Sequence, residues 1–186
     1  YPKRSTFFTK ELKQYLILSR EQGVDPLAMK GSYAGAMGYG QFMPSSYRAY
    51  AIDFDDDGKI DIWNNPVDAI GSVANYFKVH GWKSGEPVVY PAKVTGMVPE
   101  DLFNKGLKPY SSIADFAQAG IGLMQEPEPP LDPNGMATVM KFETEDAHEY
   151  WLGLHNFYVI TRYNHSSMYA MSVYQLSQLL AARVVD

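Results

Sequence analysis

Residues 31–44 read Gly31-Ser32-Tyr33-Ala34-Gly35-Ala36-Met37-Gly38-Tyr39-Gly40-Gln41-Phe42-Met43-Pro44. Small side chains and glycines dominate the run, and a backbone without Cβ atoms permits close approach of another segment or of a ligand. Ser45-Ser46-Tyr47 then starts a fresh helix. Upstream, Thr9 to Gln22 carries Leu12, Tyr15, Leu16 and Leu18 at helical spacing, with Thr9 as a possible N-cap and Gly23 as the stop. Downstream comes an acidic loop, then a second helix over Val67 to His80 through Ile70, Val73, Ala74 and Phe77, ended by Gly81. Beyond it, strands are expected at Val88-Val89-Tyr90, Lys93-Val94-Thr95, Ala137 to Glu143 and Phe157 to Arg162. Ser111 to Gln118 reads as a short capped helix, Gln125 to Gly135 with its four prolines as an extended connection, and Tyr169 to Val184 as a closing helix.

This order, helical then mixed then helical, predicts a mainly α, α+β fold: a helical body with a small mixed α/β subdomain. The body is expected to comprise residues 1–82 and 163–186, and the subdomain residues 83–162. The chain has 186 residues, 46% hydrophobic, 14% aromatic and 20% charged, which describes a globular chain that buries a core. A net charge of -5 leaves no basic footprint for nucleic acid. Without Cys there are no disulfides, zinc-thiolate sites or thiol catalysis. No apolar run reaches the roughly 18 residues of a membrane span. The opening Tyr1-Pro2-Lys3-Arg4, without Met, is read as that of a fragment or processed chain.

The sharpest local signal is Asp53-Phe54-Asp55-Asp56-Asp57-Gly58-Lys59-Ile60-Asp61. Acids at loop positions 1, 3 and 5, glycine at 6, a backbone carbonyl at 7 and an aliphatic at 8 are what an EF-hand loop needs to wrap oxygens around a hard cation. Position 12, normally Glu, is Asn64, so Asp68 at the start of the following helix is the candidate closing acid of a longer loop. The expected ligands are Asp53, Asp55, Asp57, the Lys59 carbonyl and Asp68, holding a structural Ca2+. The competing reading is a solvated acidic turn.

A polysaccharide cleft needs aromatic faces for sugar rings and amides or hydroxyls for their OH groups. Tyr39, Tyr76, Tyr163 and Tyr169 with Gln41, Ser32 and Asn164 supply both, although any single one of the 14 Tyr reads most simply as a half-buried core aromatic. The glutamates read as surface carboxylates: Glu11 and Glu21 on a polar helix face, Glu126 and Glu128 in the proline-rich connection, and Glu143, Glu145 and Glu149 near the second strand region. The four His show no metal-ligand spacing.

The Gly-x-Gly-Gln-Phe-Met-Pro run, the acidic loop through Trp63 and Asp68, the helix Val67-Asp68-Ala69-Ile70-Gly71-Ser72-Val73-Ala74-Asn75-Tyr76-Phe77 and Thr161-Arg162-Tyr163-Asn164-His165-Ser166 together resemble the membrane-bound lytic murein transglycosylase B family. The resemblance covers nearly the whole chain. It implies a lysozyme-like fold, and cleavage of the MurNAc–GlcNAc β-1,4 bond of peptidoglycan with formation of a 1,6-anhydro sugar. A single Glu would act first as acid and then as base, in place of the usual two carboxylates. The family places that Glu in a Glu-Thr/Ser-x-x-Gly element before a Tyr-Pro-Arg-Arg segment. No catalytic residue is therefore expected within this chain, and residues 1–186 alone are expected to be inactive. The resemblance further implies Lys3 and Arg4 near the peptide or carboxylate side of the glycan, Ser32 and Gln41 near the catalytic sugar with Tyr76 beside them, and Tyr163, Asn164 and Tyr169 on the opposite wall. Lys3 stands where the family usually has Arg and cannot form the same planar bidentate pair. The implied setting is the bacterial periplasm in association with the outer membrane, with peptidoglycan strands as partner and membrane contact only through an anchor not present in this chain. The alternatives are a non-catalytic, calcium-stabilised peptidoglycan-binding module, a plain calcium-binding interaction module, and a hydrolysing lysozyme.

Overall fold

The structure is a computed structural model that describes residues 2–145 and 147–184. Tyr1 of the Tyr1-Pro2-Lys3-Arg4 element and the last two residues of the expected helical body lie outside the described residues. The chain forms two compact units, Tyr1–Val79 and His80–Asp186.

The first unit is helical. Helix α1 spans Ser5–Glu21, α2 Pro44–Tyr50 and α3 Pro66–Val79, with the glycine-rich and acidic segments between them. Helix α1 begins four residues before the expected Thr9, and its N-cap, Arg4, makes no side-chain cap. Glu21 and Arg48 tie α1 to α2 through two charge-assisted hydrogen bonds of 2.8 and 2.7 Å. The core gathers Leu18, Met37, Phe42, Tyr47, Ile62, Ala69 and Tyr76. Helix α3 buries Asp68, Ala69, Gly71, Ser72 and Tyr76, while Ile70 is 70% exposed. Polar groups choose that face: the Ser72 hydroxyl accepts from the Ile52 N–H at 3.0 Å, and the Asn75 amide donates to the Tyr50 carbonyl at 2.8 Å.

The second unit carries a five-stranded antiparallel sheet. Its strands are β1 (Val89–Val94), β2 (Ser111–Ser112), β3 (Ile121–Leu123), β4 (Met136–Glu143) and β5 (His148–Gly153), in the order β2-β4-β5-β1-β3. Helix α4 (Ile113–Gln118) follows β2 and is held by a capping box in which the Ser112 hydroxyl accepts from the Asp115 N–H. Phe103, Phe116, Ile121, Val139 and Leu152 lead this unit's core. Helices α5 (His155–Tyr163) and α6 (Ser167–Val184) complete the chain and pack on one another.

Two expectations need correction. Residues Phe157 to Arg162 are helix, not strand; the strand is the segment just before, 148–153. The dense run Phe157, Val159, Ile160 and Thr161 is buried, and such a run fits a buried helix as well as a strand. At the start of this helix the buried Asn156 amide is fixed, donating to the Lys83 and Glu86 carbonyls at 2.8 and 2.9 Å and accepting from the Lys83 N–H at 3.0 Å. The closing helix also falls within the unit of residues 80–186 rather than with residues 1–82, because α6 packs on α5. Helices and an antiparallel sheet in separate stretches make an α+β fold.

Candidate functional site

The glycine-rich segment folds as a tight double reversal. Met37, 2% exposed, bridges antiparallel to both Gly31 and Phe42, and so anchors the segment in the core. Ser32 closes one reversal: its N–H donates to the Ala36 carbonyl at 2.7 Å and its hydroxyl accepts from the Ala36 N–H at 3.1 Å. Gly38 has φ +63, and a Cβ there would lie 2.5 Å from the Ile62 carbonyl oxygen, so only glycine fits. Gln41 has φ 52, left-handed backbone that a residue with a Cβ occupies at a cost. Its side-chain amide donates back to the Gly38 carbonyl at 2.9 Å. The reversals leave Tyr33 at 99% and Tyr39 at 66% exposure, two aromatic faces beside Ser32 and Gln41.

A cavity of 340 Å³ opens between α1 and this segment, lined by Phe8, Glu11, Tyr15, Ser32, Tyr33 and Gly35 among others. A neighbouring groove carries Arg4, Phe8 and Leu12 together with Tyr33 and Ala34. Arg4 and Ser32, far apart in sequence, thus border adjoining parts of one surface. The Arg4 guanidinium rests on the Phe7 and Phe8 rings at 5.4 and 5.0 Å. Lys3 is exposed in the turn before α1. Tyr76 is buried against Phe42 and Tyr50, ring centroids 6.1 and 4.9 Å away, and supports the segment from beneath.

Glu11 corrects the reading of a polar surface position. It is 8% exposed, and its two oxygens accept from the Ser45 N–H at 2.9 Å and the Ser45 hydroxyl at 2.7 Å. It thereby satisfies an otherwise orphaned donor in the first turn of α2. The stripe Glu11, Tyr15, Leu18, at spacings of four and three, carried the signal.

In the second unit, Tyr163 and Tyr169 stack with an interplanar angle of 2° and a centroid separation of 6.5 Å. Asn164, exposed, caps the C-terminus of α5, and its carbonyl accepts from the Ser166 N–H at 2.7 Å. Burial raises the Tyr169 hydroxyl above its ordinary pKa, so it remains a neutral donor. Tyr163 and Tyr169 thus form a stacked aromatic pair, with Asn164 next to Tyr163 in the chain.

The acidic loop brings Asp53, Asp55 and Asp57 together, with one oxygen of each within 4.8 Å of the others. Asp53 accepts from the Asp57 and Gly58 N–H groups at 3.1 and 2.8 Å, and Asp57 from the Lys59 N–H at 2.8 Å. An all-oxygen set on a loop turned at Gly58 (φ 88) fits a hard cation such as Ca2+. Asp68 is fully buried, and its two oxygens accept from the Phe54 and Asp61 N–H groups, both at 2.8 Å, fastening the ends of the loop to α3. Burial works to raise the pKa of Asp61, but hydrogen bonds from the Asn64 side chain and from the Asn64 and Trp63 N–H groups, with the Lys59 charge, lower it overall.

Comparison with known proteins extends the resemblance. Residues 1–178 match the family model described as the transglycosylase SLT domain. The membrane-bound lytic murein transglycosylase B of Escherichia coli K12 is 50% identical over 185 residues, 99% of this chain and 49% of that protein, so the chain spans about half the length of this relative. Among solved structures, soluble lytic transglycosylase SltB1 from Pseudomonas aeruginosa superposes with a TM-score of 0.91 at 51% identity, over 100% of this chain and 60% of the other. The Escherichia coli lytic transglycosylase Slt35 in complex with calcium does so with 0.87 at 48% identity, over 100% and 57%. A match across nearly all its residues, in sequence and in fold, makes this chain a member of the lytic transglycosylase family of membrane-bound lytic murein transglycosylase B.

Proposed function

We propose that the chain is the glycan-binding core of a peptidoglycan lytic transglycosylase, breaking the MurNAc–GlcNAc β-1,4 bond with formation of 1,6-anhydroMurNAc. The observation that carries this reading is the meeting of Arg4, Ser32 and Tyr33 along one surface between α1 and the glycine-rich segment, in a chain of this family. In the reaction, one carboxyl group protonates the departing GlcNAc oxygen as the C1–O bond breaks. The same group, now carboxylate, takes the proton of the MurNAc C6 hydroxyl as that oxygen bonds to C1. Ser32 and Gln41 would hold the sugar at the bond that breaks, Lys3 and Arg4 the carboxylates of the peptide side, and Tyr76 the floor. Tyr163, Asn164 and Tyr169 are assigned to further glycan contact.

Among the described residues, the carboxylate lining the cavity beside Ser32 is Glu11, and both of its oxygens already accept from Ser45. A carboxylate so engaged anchors a helix and does not serve as proton donor. We therefore assign the acid/base role to a Glu outside residues 1–186, in the Glu-Thr/Ser-x-x-Gly element that the family resemblance implies, and read residues 1–186 alone as binding without cleaving. Asp53, Asp55 and Asp57, with the Lys59 carbonyl, would hold a Ca2+ whose role is structural, while Asp68, whose two oxygens accept from the Phe54 and Asp61 N–H groups, would fix the loop around it; a relative crystallised with calcium supports binding of the ion. We place the chain in the bacterial periplasm at the outer membrane; the name of the membrane-bound relative supports association with a membrane. No helix among the described residues is long and apolar enough to cross a membrane.

Incubation with purified sacculi tests the reading. Residues 1–186 should sediment with sacculi and release no 1,6-anhydro muropeptides by mass spectrometry. Anhydro products would place the proton donor within these residues, reducing ends would make the chain a hydrolase, and failure to sediment would remove the glycan reading.

A further inference from the structure

A second pocket, of 590 Å³, lies on the other side of the segment that carries Ser32, lined by Gln22, Met29, Lys30, Asp61, Trp63 and Asn64 among others. Its volume is within the range of small-ligand sites, roughly 300–1,000 Å³. Three features give it the chemistry of a sugar site.

The first is a fixed aromatic plate. The Trp63 indole N–H donates to the Lys30 carbonyl at 3.1 Å, and its ring packs against Tyr47, centroids 5.5 Å apart at 39°. Tyr47 is itself pinned, 2% exposed with its hydroxyl donating to the Ile60 carbonyl at 2.7 Å. The indole is thus held from its edge and from a ring neighbour, while it remains partly open to the pocket. The second is the polar rim. Gln22 and Asn64 contribute neutral amides, and Asn64 is the residue that stands where an EF-hand would place its closing Glu. Here the Asn64 amide nitrogen donates to Asp61 at 3.0 Å and the side chain lines the pocket. The third is continuity. Met29 and Lys30 line both this pocket and the cavity beside Ser32, so one short stretch of backbone forms a wall of each.

We propose that this pocket is an additional glycan subsite, binding an N-acetylated, β-1,4-linked amino sugar further along the strand held at Ser32. A pyranose lays its apolar C–H face on the indole, its hydroxyls meet the Gln22 and Asn64 amides, and its acetyl methyl reaches the apolar side at Met29. The rim charges, Lys30 and Lys59 against Asp61, leave one net positive charge, and the sugar contacts are assigned to the indole and the two neutral amides. The inference rests on the proposed glycan-binding function and extends it to a second face of the first unit.

The test is an NMR titration of the 15N-labelled chain with chitotriose, which offers three β-1,4-linked N-acetylglucosamines, and with cellotriose, which lacks the acetamides. Saturable shifts of the Trp63 indole N–H and of the Gln22 and Asn64 side-chain NH2 groups are expected with chitotriose and at least tenfold weaker with cellotriose. Trp63→Ala should weaken binding at this set about tenfold, the loss of one aromatic contact, while shifts at Ser32 and Gln41 persist. Gln22→Ala, an exposed position, gives a second reading of the same loss if Trp63→Ala does not fold. Shifts at Ser32 and Gln41 alone would overturn the subsite and leave the glycan-binding function standing. Shifts at Trp63 alone would keep the pocket and remove the Ser32 cleft from the function. No shifts in either place would overturn both.

Discussion

Gln41 and Glu11 show what single residues do at this site. Gln41 occupies left-handed backbone at φ 52, where a glycine would sit without strain. Replacing it with Gly should therefore raise stability by up to about 1 kcal/mol, read as a higher Tm, while weakening sedimentation with sacculi. A loss of both would show that the side chain serves packing rather than ligand. Glu11 is the reverse case, a polar residue placed for structure. Glu11→Ala strands the Ser45 donors at the start of α2 and should cost roughly 2–3 kcal/mol by denaturant unfolding; a change under half of that would mean Ser45 finds water instead. Gly38→Ala should cost roughly as much, since a Cβ there meets the Ile62 carbonyl at 2.5 Å.

At the scale of elements, the cap of α4 and the acidic loop give separate handles on stability. Hydrogen bonding with the Ser112 side chain, then with its backbone N–H, lowers the pKa of Asp115 against a slight opposing effect of burial, and the Ser111 hydroxyl adds to the lowering. A carboxyl group with a folded pKa below its unfolded one contributes stability above the unfolded value and loses it as pH falls through the folded value. The Asp115 contribution should therefore fade only below about pH 4, and Asp115→Asn should flatten that part of the acid limb of Tm against pH. An unchanged limb would separate the cap from acid stability. For the loop, Ca2+ at about 100 times its Kd adds about 2.7 kcal/mol, or about 5–10 °C in Tm for a chain of this size. Chelation should reverse the gain and Asp55→Ala abolish it; equal Tm with and without Ca2+ would dispose of the metal.

For the whole molecule, division into two compact units predicts that the effect of a metal at the acidic loop would be local. Removing Ca2+ should increase hydrogen exchange in residues 2–79 and leave the amides of β4 and β5 protected, because Val139 and Leu152 are fully buried in a sheet core of their own. Uniform loss of protection would mean that the units unfold together.

Much was legible in the chain itself. The acid spacing at 53, 55 and 57, the glycine at 58, the short capped helix over 111–118 and the glycine-rich run at 31–44 are local devices, written in neighbouring residues: the three acids meet, the capped helix forms over 113–118, and the glycine-rich run folds back on Met37. The presence of α1, α2, α3 and α6 follows in the same way from periodicity and stops. What only the tertiary structure decided depends on partners distant in sequence. Residues 157–162 are β-formers by composition, yet they are helix, buried through Phe157, Val159, Ile160 and Thr161 beside an Asn156 whose amide is bonded to residues 83 and 86. Helix α3 turns Ile70 outward, because Asp68 and Ser72 must meet the backbone of residues 52–61. Glu11 is buried because Ser45, 34 residues on, needs an acceptor. Local propensity sets which elements can form; the need to pair every buried polar group selects which faces and registers they adopt.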